Sequence, residues 1–336
     1  MAKRLLSGIT PSSPKGLHLG NYLGAVKSHI AFQNNNECFY FVANMHGLNT
    51  VFDPKVLEQN THNIFIEYLA FGIDPEKTTF YVESDIPGIP YLQTVINNAV
   101  TVSELKRMHA YKDKIQQEIS QDAIGFGLFS YPVLMAADIL LFSPDIVPVG
   151  EDQAQHVEIC REIAKTFNNR YGDLLKIPEL SIETETARVV GTDGKRKMGK
   201  SLGNDISIFA EEEVIKQQIM QITTDPARIR PTDPGNPQKN VCFQYLKLLD
   251  HDNMRASDEL TVLDMEEQYR RGKIGDVTIK KLLLKDFLTY FAPYRKAKIE
   301  LMQKKDYVED VRKEGALRAN REAEIVIEKV RKGIGI

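Results

Sequence analysis

Residues 3–21, KRLLSGITPSSPKGLHLGN, set the fold that the sequence predicts. The apolar start of this stretch, Lys3–Ile9, is a strand candidate, and Thr10–Gly16 supplies the prolines, serines and glycine that close a strand. From Leu17 to about Gln33 the pattern favours a helix. The stretch therefore predicts a strand that turns directly into a helix, which is the first half of a strand–helix–strand unit.

The same alternation continues beyond the first helix. Predicted strands cover Cys38–Ala43, Thr79–Glu83, Ile146–Val149 and Arg188–Gly191. Predicted helices cover Leu57–Phe71, Leu92–Glu118, Tyr131–Leu141, with Pro132 near its first turn, and Glu151–Phe167. Alternating strands and helices predict an α/β fold with a doubly wound parallel sheet.

After about Asp205 the pattern changes to helices alone. The predicted helices are Glu211–Thr223, Cys242–Leu249, Met265–Arg271, Ile274–Ala292 and a last stretch, Tyr294–Gly333, interrupted near Gly315. We expect three parts: residues 1–204 with the sheet, an all-helical domain at 205–293, and a basic helical segment at 294–336.

Charge is distributed unevenly between these parts. Residues 280–336 hold 15 Lys or Arg against 9 Asp or Glu, although the whole chain has a net charge of −3. A basic segment on an acidic chain favours a surface for a polyanion, and a solvated helix face is the alternative.

Composition excludes several classes of protein. The chain has 336 residues, 42% of them apolar, which is enough for a substantial core and about two domains. No apolar run reaches the roughly 18 to 20 residues that span a bilayer, and the N-terminus lacks a signal peptide's apolar stretch, so we expect a cytoplasmic protein. Cys38, Cys160 and Cys242 are far apart and form no C-x-x-C pair, so we expect neither a zinc site nor an iron–sulfur cluster.

The segment Gly16–Asn21 holds the first candidate site. His18 and Asn21 are three residues apart, so they face the same way on a helical turn. A helix N-terminus offers free amides and a positive dipole end to phosphate, and Gly20 lets a flat base or a backbone approach closely. The alternative is that His18 only packs against or caps the helix start.

The loop Lys197–Ser201, KMGKS, holds the second candidate site. Two lysines in a glycine-flanked loop suit transient contact with phosphate charge that grows during a reaction, and a solvated basic loop is the alternative. Gly194 to Ser201 also matches the P-loop pattern, which requires a helix directly after its serine. Turn residues, Leu202–Asp205, follow instead, so we reject the P-loop interpretation.

Two further segments contain polar residues in apolar surroundings. Tyr131, Met135 and Asp138 have the spacing of one helical face. A lone buried carboxylate is costly, so Asp138 needs a hydrogen-bond donor, either a ligand N–H or a cation of the protein. Val147–Gln153 runs from strand through a turn to a helix start, where open α/β sheets bind ligands; plain helix capping by Asp152 is compatible with that role.

Taken in order, these four segments resemble the tryptophanyl-tRNA synthetase family. His18–Asn21 and Lys197–Ser201 are similar to the two signatures of class I aminoacyl-tRNA synthetases. Tyr131–Leu140 and Val147–Gln153 are similar to this family's tryptophan pocket and the turn after it. Shorter matches are Ser7–Ile9 and Ala319–Arg321. The resemblance implies a Rossmann-like catalytic domain, a helical anticodon-binding domain and a homodimer.

The resemblance also implies an activity and a set of site residues. It implies ATP-dependent activation of L-tryptophan and transfer to tRNA(Trp), with Mg2+ accompanying ATP and no metal held by the protein. Asp138 would accept the indole N–H, Tyr131 and Gln153 would hold the α-amino group, and Met135, Val147 and Val149 would shape an apolar slot. The implied catalytic residues are His18, Asn21, Lys197 and Lys200. The implied ATP contacts are Thr10, Pro11, Ser12, Gly20, Asn21, Gly150, Glu151, Asp152, Val189, Lys197, Met198, Gly199, Lys200 and Ser201, with Lys112 as a further phosphate contact.

Three positions depart from the family's pattern, and three other functions stay open. Thr10 stands where many members have glutamine, Asn44 replaces a frequent aspartate, and Gly199 replaces a usual serine. The nearest alternative is a tyrosyl-tRNA synthetase, whose phenol pocket would need polar partners for an O–H rather than Met135 beside Asp138. A small-molecule adenylating ligase would not need a basic C-terminal segment. A non-catalytic tRNA-binding relative would not need both signature loops.

Overall fold

The computed structural model describes residues 2–116, 125–150, 153–182, 189–251 and 260–336. Its centre is a five-stranded parallel sheet with the order β3-β2-β1-β4-β5. The strands are β1 (Arg4–Ile9), β2 (Glu37–Val42), β3 (Thr78–Val82), β4 (Ile146–Val149) and β5 (Glu179–Ile182). The predicted doubly wound parallel sheet is therefore confirmed.

Helices connect and follow these strands. They are α1 (Leu19–Asn21), α2 (Lys27–Phe32), α3 (Asn44–Gly47), α4 (Pro54–Phe71), α5 (Gly88–Ile96), α6 (Val102–Leu105), α7 (His109–Gln116), α8 (Phe126–Leu140), α9 (Ala154–Tyr171), α10 (Glu212–Met220), α11 (Val241–His251), α12 (Val262–Arg270), α13 (Asp276–Gln303) and α14 (Lys305–Ile334). A π-helix, Tyr22–Val26, joins α1 to α2. No helix among the described residues is both long enough and apolar enough to cross a membrane.

The order in which strands are added to the sheet changes sides between β1 and β4. From β1 it moves through β2 to β3, and it then returns to place β4 and β5 on the other side of β1. Ligands of such sheets bind outside the carboxyl ends of the strands at this switch point. The residues that follow β1 and β4 are therefore candidates for ligand contact.

Two predicted helices begin or break at different places. The helix expected at Tyr131–Leu141 already begins at Phe126, so Pro132 lies inside α8 rather than in its first turn. The stretch Leu92–Glu118 is not one helix, because Thr101 and Glu104 form a capping box that starts a new one, α6. Glu118 lies outside the described residues.

Other predictions differ in smaller ways. The strand expected at Arg188–Gly191 is only an isolated bridge between Val190 and Lys197, with Arg188 outside the described residues. The helix expected at Glu151–Phe167 is described from Ala154 to Tyr171. Strand β5 was not predicted.

The C-terminal region is helical as predicted, but both predicted divisions are wrong, because α13 continues through Pro293 to Gln303. The break lies at Lys304, between α13 and α14, and α14 continues through Gly315. A Cβ atom on Gly315 would lie 1.8 Å from the carbonyl oxygen of Phe80 in β3. Gly315 therefore permits a close approach of α14 to the edge of the sheet, rather than interrupting the helix.

The chain forms two compact units. Unit 1 comprises Met1–Pro14, Ser28–Glu185 and Leu301–Ile336, and unit 2 comprises Lys15–Lys27 and Thr186–Glu300. Unit 1 holds the sheet and α14, whose Arg312 forms a two-point ion pair with Asp85 at 2.7 Å for both bonds. These bounds differ from the predicted division, because residues 189–204 belong with the helices of unit 2 and residues 301–336 belong with the sheet.

Candidate active site

Three polar residues meet in unit 1 near the carboxyl ends of β2 and β3. His46 follows β2, Glu83 follows β3, and Asp138 comes from the buried face of α8. The His46 Nε2 atom lies 3.0 Å from Asp138 Oδ2 and 3.7 Å from Glu83 Oε1. The Met45 backbone N–H donates to Glu83 Oε2 at 2.8 Å. This cluster, His46–Glu83–Asp138, is the polar part of an otherwise apolar region.

Burial controls the protonation of this cluster. Asp138 is 1% exposed, and burial raises the pKa of its carboxyl well above the ordinary value. Burial, followed by repulsion from Asp138, raises the pKa of Glu83 to about 8, and burial lowers the pKa of His46. At neutral pH His46 is therefore uncharged, so the carboxylates lack a full positive charge beside them.

Each carboxyl of the cluster has one oxygen atom that accepts no hydrogen bond from the described residues. Asp138 Oδ1 and Glu83 Oε1 are buried and have no hydrogen-bond partner among the described residues. Buried polar atoms without a partner cost free energy unless a ligand supplies one. The Asp138 carboxyl is therefore arranged to accept a hydrogen bond from a ligand N–H.

The other predicted pocket residues are also in unit 1. The rings of Tyr131 and His46 lie 6.3 Å apart between centroids, and the Tyr131 hydroxyl hydrogen-bonds His156 Nε2. Met135 and Val149 are half-buried and pack against the core, and Val147 is buried within it. The structure therefore places both Tyr131 and Asp138 next to His46.

Gln153 lies at the start of α9. Its backbone N–H donates to the Gly150 carbonyl at 2.9 Å, and the predicted pocket role of its side chain stays a prediction. The residues between these two, Glu151 and Asp152, lie outside the described residues.

Sequence reasoning missed three members of this region, namely His46, Glu83 and His156. His46 and Glu83 each follow the carboxyl end of a strand, so the positional rule for parallel sheets could have found them. Asn44, which departs from the family's pattern, exchanges two hydrogen bonds with Ser84: its side chain donates to Ser84 Oγ at 2.9 Å and accepts from the Ser84 N–H at 3.1 Å. Asn44 therefore ties together the two turns that carry His46 and Glu83.

A second set of predicted residues lies at the switch point of the sheet. Thr10, Pro11 and Ser12 follow β1, and the Ser12 N–H donates to the Thr10 carbonyl at 2.9 Å. The Asn60 side chain donates to the Pro11 carbonyl at 3.2 Å, which fixes this turn. Gly150 follows the neighbouring strand, β4. Strand pairing therefore brings these four predicted ATP contacts to one edge of the sheet.

His18 caps the helix start in unit 2. Its Nδ1 accepts the Asn21 N–H at 3.2 Å, and the Asn21 side chain accepts the His18 N–H at 3.2 Å. Burial, followed by the positive charge of Lys200, lowers the pKa of His18 to about 4. A neutral ring whose Nδ1 accepts carries its proton on Nε2, so His18 retains an N–H that can donate to a ligand. Capping and ligand binding are thus compatible here.

The lysine loop lies against this helix start. The Gly20 N–H donates to Met198 Sδ at 3.3 Å, and a Cβ on Gly20 would come within 3.0 Å of the His18 ring. The Met198 N–H donates to the carbonyl of Val189, a buried residue, at 2.8 Å. These contacts bring His18, Gly20 and the loop together within unit 2.

Beyond Gly199 the loop forms a short 3-10 turn, Lys200–Leu202. It ends at Gly203, which has a left-handed φ of 65°. A P-loop would continue from Ser201 into an α-helix, so this geometry differs from a P-loop. Lys197 and Ser201 are exposed, whereas Gly199 and Lys200 are half-buried.

Fold and sites together define a class of protein. A family model described as tRNA synthetases class I (W and Y) matches residues 2–292. The chain belongs to this family of class I tRNA synthetases, which confirms the resemblance seen in the sequence.

Individual relatives within this family that are similar over the full chain are tryptophan–tRNA ligases. The chain is 41% identical to the tryptophan–tRNA ligase of Fusobacterium nucleatum, over 98% of this chain and 96% of that protein. It is 40% identical to the tryptophan–tRNA ligase of Rhodopirellula baltica, over 99% of each. A crystal structure of tryptophanyl-tRNA synthetase from Campylobacter jejuni, complexed with ADP and tryptophan, matches with a TM-score of 0.88 and 38% identity, covering 99% of this chain and 100% of that one.

Proposed function

We propose that this protein is a ligase that activates L-tryptophan with ATP and transfers it to tRNA(Trp). The observation that carries this proposal is the buried Asp138, whose free oxygen atom awaits an N–H donor inside an apolar region. An indole ring presents one N–H on a flat apolar body, so it can supply the donor that Asp138 Oδ1 lacks among the apolar residues around it. The full-length relatives named tryptophan–tRNA ligase support the same conclusion.

The first reaction needs no nucleophile from the protein. A carboxylate oxygen of tryptophan attacks the α-phosphorus of ATP, a new O–P bond forms, and the bond to the pyrophosphate oxygen breaks. Catalysis then consists of positioning and of stabilising charge on the departing pyrophosphate, which enters with its Mg2+ as part of the substrate. Lys197 and Lys200 supply positive charge, and the Nε2–H of His18 can donate to a phosphate oxygen.

The second reaction transfers the acyl group to tRNA. A ribose hydroxyl at the 3′ end attacks the activated carbonyl, and AMP leaves. Because the product serves protein synthesis, we propose the cytoplasm as its compartment.

The tRNA surface is proposed on exposed basic residues near the start of α14. One face of α14 packs on the sheet, where Arg312 pairs with Asp85 and Arg318 donates to the carbonyls of Pro75 and Thr78. Lys304 and Lys305, at the break before α14, are exposed and offer charge to phosphate.

A homodimer is proposed from exposed apolar side chains in unit 1. Phe52 is 86% exposed, Phe126 is 75% exposed and Leu48 is 56% exposed. A Cβ on Gly127 would lie 2.6 Å from Asn49 Oδ1, so the segments that carry these residues are neighbours. Substituting Phe52→Lys should shift the sedimentation coefficient towards that of a monomer, and an unchanged monomeric value for wild type would overturn the proposal.

The proposed activity is tested by amino-acid-dependent exchange of pyrophosphate into ATP. We expect exchange with tryptophan and at most weak exchange with tyrosine or the other amino acids. Charging of tRNA in the same preparation separates a tRNA ligase from a small-molecule adenylating ligase. Exchange that prefers tyrosine, or activation without tRNA charging, would contradict the proposal.

A further inference from the structure

One buried amide side chain holds the backbone of the lysine loop from both sides of Met198. Asn204 is 2% exposed. Its Oδ1 accepts the Gly199 N–H at 2.8 Å, and its Nδ2 donates to the Lys197 carbonyl at 3.2 Å. Both hydrogen bonds reach loop backbone, so they fix the path of the loop without occupying the lysine side chains.

Asp193 holds Asn204 in turn. Asn204 Nδ2 donates to Asp193 Oδ2 at 3.1 Å, while Asp193 Oδ1 accepts the backbone N–H groups of Lys195 and Arg196 at 3.0 and 3.1 Å. These hydrogen bonds hold the pKa of Asp193 below its usual range, so it stays a charged acceptor at neutral pH. The orientation of the Asn204 amide is thereby defined, because only its nitrogen can donate to Asp193.

The space around this amide is restricted. A Cβ atom on Gly191 would lie 2.0 Å from Asn204 Nδ2, so a larger residue there would displace the amide. The Asn204 backbone is also fixed, because its carbonyl accepts the Thr192 N–H at 2.9 Å. The Asn204 amide is therefore restricted to one position, and its hydrogen bonds from that position fix the backbone of residues 197–199.

We propose that Asn204 is a positioning residue for adenylate formation and that Asp193 orients it. Together they hold the backbone of the loop Lys197–Ser201 in the conformation that places Lys197 and Lys200 for the reaction. This inference rests on the proposed function, in which those lysines neutralise the departing pyrophosphate. Gly199 has no side chain with which to hold the loop, and the Asn204 amide secures its N–H instead. The loop is thus held close to Gly20 through Met198, by backbone and Met198 contacts.

The first test uses Asn204→Ala and Asn204→Asp in the full chain. The alanine removes all three side-chain hydrogen bonds, whereas the aspartate keeps the acceptor for Gly199 and places a second carboxylate beside Asp193. We expect the exchange rate per active site, counted by the burst of adenylate, to fall on the order of 10- to 100-fold. The KM for tryptophan should stay within about twofold, because a loop contact made as charge develops lowers kcat and leaves ground-state binding alone.

A rescue and a control separate positioning from general stability. In the double variant Asp193→Asn with Asn204→Asp, the donor and acceptor between the two side chains are exchanged, so part of the lost rate should return. Asn236→Asp adds the same charge to the same unit, at a residue that caps the 3-10 turn Pro237–Lys239, and should leave the rate unchanged.

The outcomes distinguish this inference from the proposed function. If Lys200→Ala lowers the exchange rate but both Asn204 variants match wild type per active site, the positioning role is wrong and the activity stands. If Lys200→Ala also leaves the rate unchanged, the assigned role of the loop itself fails. A rise in KM for tryptophan equal to the fall in kcat, without rescue in the double variant, would show a structural role only and would overturn the proposal.

Discussion

At the residue scale, the cluster His46–Glu83–Asp138 shows how a protein can present a hydrogen-bond acceptor in an apolar environment. Glu83 accepts the backbone N–H of Met45, and His46 bonds Asp138, so each residue of the cluster has a fixed place. The cost is electrostatic, because burial removes both carboxyls from water and Asp138 in addition repels Glu83. Protonation lowers that cost, and the raised pKa values of both carboxyls express it.

This cost leads to a prediction about stability and pH. The folded protein keeps Glu83 protonated up to a pKa of about 8, whereas the ordinary value is 4.5, so folding takes up a proton between these values. The stability contributed by this group is therefore fully present below about pH 4.5 and is lost as the pH rises towards 8. Glu83→Gln keeps an oxygen acceptor for Met45 but does not titrate. We expect its stability relative to wild type to increase with pH in this window, by up to about 1.4 kcal/mol per pH unit.

The measurement is urea unfolding of both proteins at several pH values between 5 and about 8. Comparing the two proteins cancels the titration of groups that do not interact with Glu83, so the difference reports Glu83 together with its neighbours His46 and Asp138. Glu76→Gln, a substitution at an exposed carboxylate of unit 1, serves as the control for a changed charge. A difference between wild type and Glu83→Gln that stays constant with pH would contradict the raised pKa.

The sequence could place part of this site but not all of it. Tyr131 and Asp138 were predicted to share one helical face, since helical spacing is a local property of the chain. His46 and Glu83 come from separate connections, and only the pairing of β2 with β3 makes them neighbours. Local periodicity contains no information about which strands pair, so these partners could not be predicted from it.

At the element scale, Gly315 in α14 shows that a glycine inside a helical pattern can mark a packing contact instead of a helix end. Glycine usually ends or weakens a helix, and on that basis a break was expected at Gly315. The structure instead uses Gly315 where α14 meets β3, with the Phe80 carbonyl in the space that a side chain would fill. Strands β1 to β4 were predicted to within about two residues because apolar runs bounded by turn residues are strong local signals. The short β5 has no such apolar run.

Gly315→Ala should therefore destabilise the protein. Its methyl group would meet backbone, which cannot move aside as a flexible side chain does, and overpacking of this kind costs about 1–3 kcal/mol or more. Gly24→Ala is a matched control, because Gly24 lies in a helical segment with nothing within 4 Å of its Cβ position. We expect a lower melting temperature for Gly315→Ala and an equal or higher one for Gly24→Ala. Equal melting temperatures for Gly315→Ala and wild type would show that α14 does not pack on β3 as described.

At the scale of the whole molecule, the basic residues of the C-terminal segment divide into those that hold α14 on the sheet and those that are proposed to bind tRNA. The basic residues of the C-terminal segment are partly used within unit 1, by Arg312 and Arg318, so the local excess of positive charge overstates what is available to tRNA. The adjacent pair Lys304 and Lys305 is exposed and belongs to this available part.

Replacing Lys304 and Lys305 together with alanine should weaken the salt dependence of tRNA binding. Each lost phosphate contact reduces the slope of log affinity against log salt by about 0.7 to 0.9. Arg331 and Lys332 form a matched control pair, exposed at the other end of α14. Filter binding at several salt concentrations measures the slope, and pyrophosphate exchange should be unaffected in both variants. A wild-type slope in the Lys304 and Lys305 variant would move the tRNA surface to the helices between Glu211 and Ala292.

The most direct test of the central claim compares tryptophan with an analogue that has sulfur in place of the indole N–H. The analogue has nearly the same shape, so it isolates the hydrogen bond to Asp138. Wild type should prefer tryptophan by a large factor in kcat/KM for pyrophosphate exchange, on the order of 10⁴, because a site built to pair an N–H rejects a ligand that lacks it. Asp138→Ala should lose most of this preference while keeping its KM for ATP. Equal use of both amino acids by wild type, or a preference that survives in Asp138→Ala, would contradict the account.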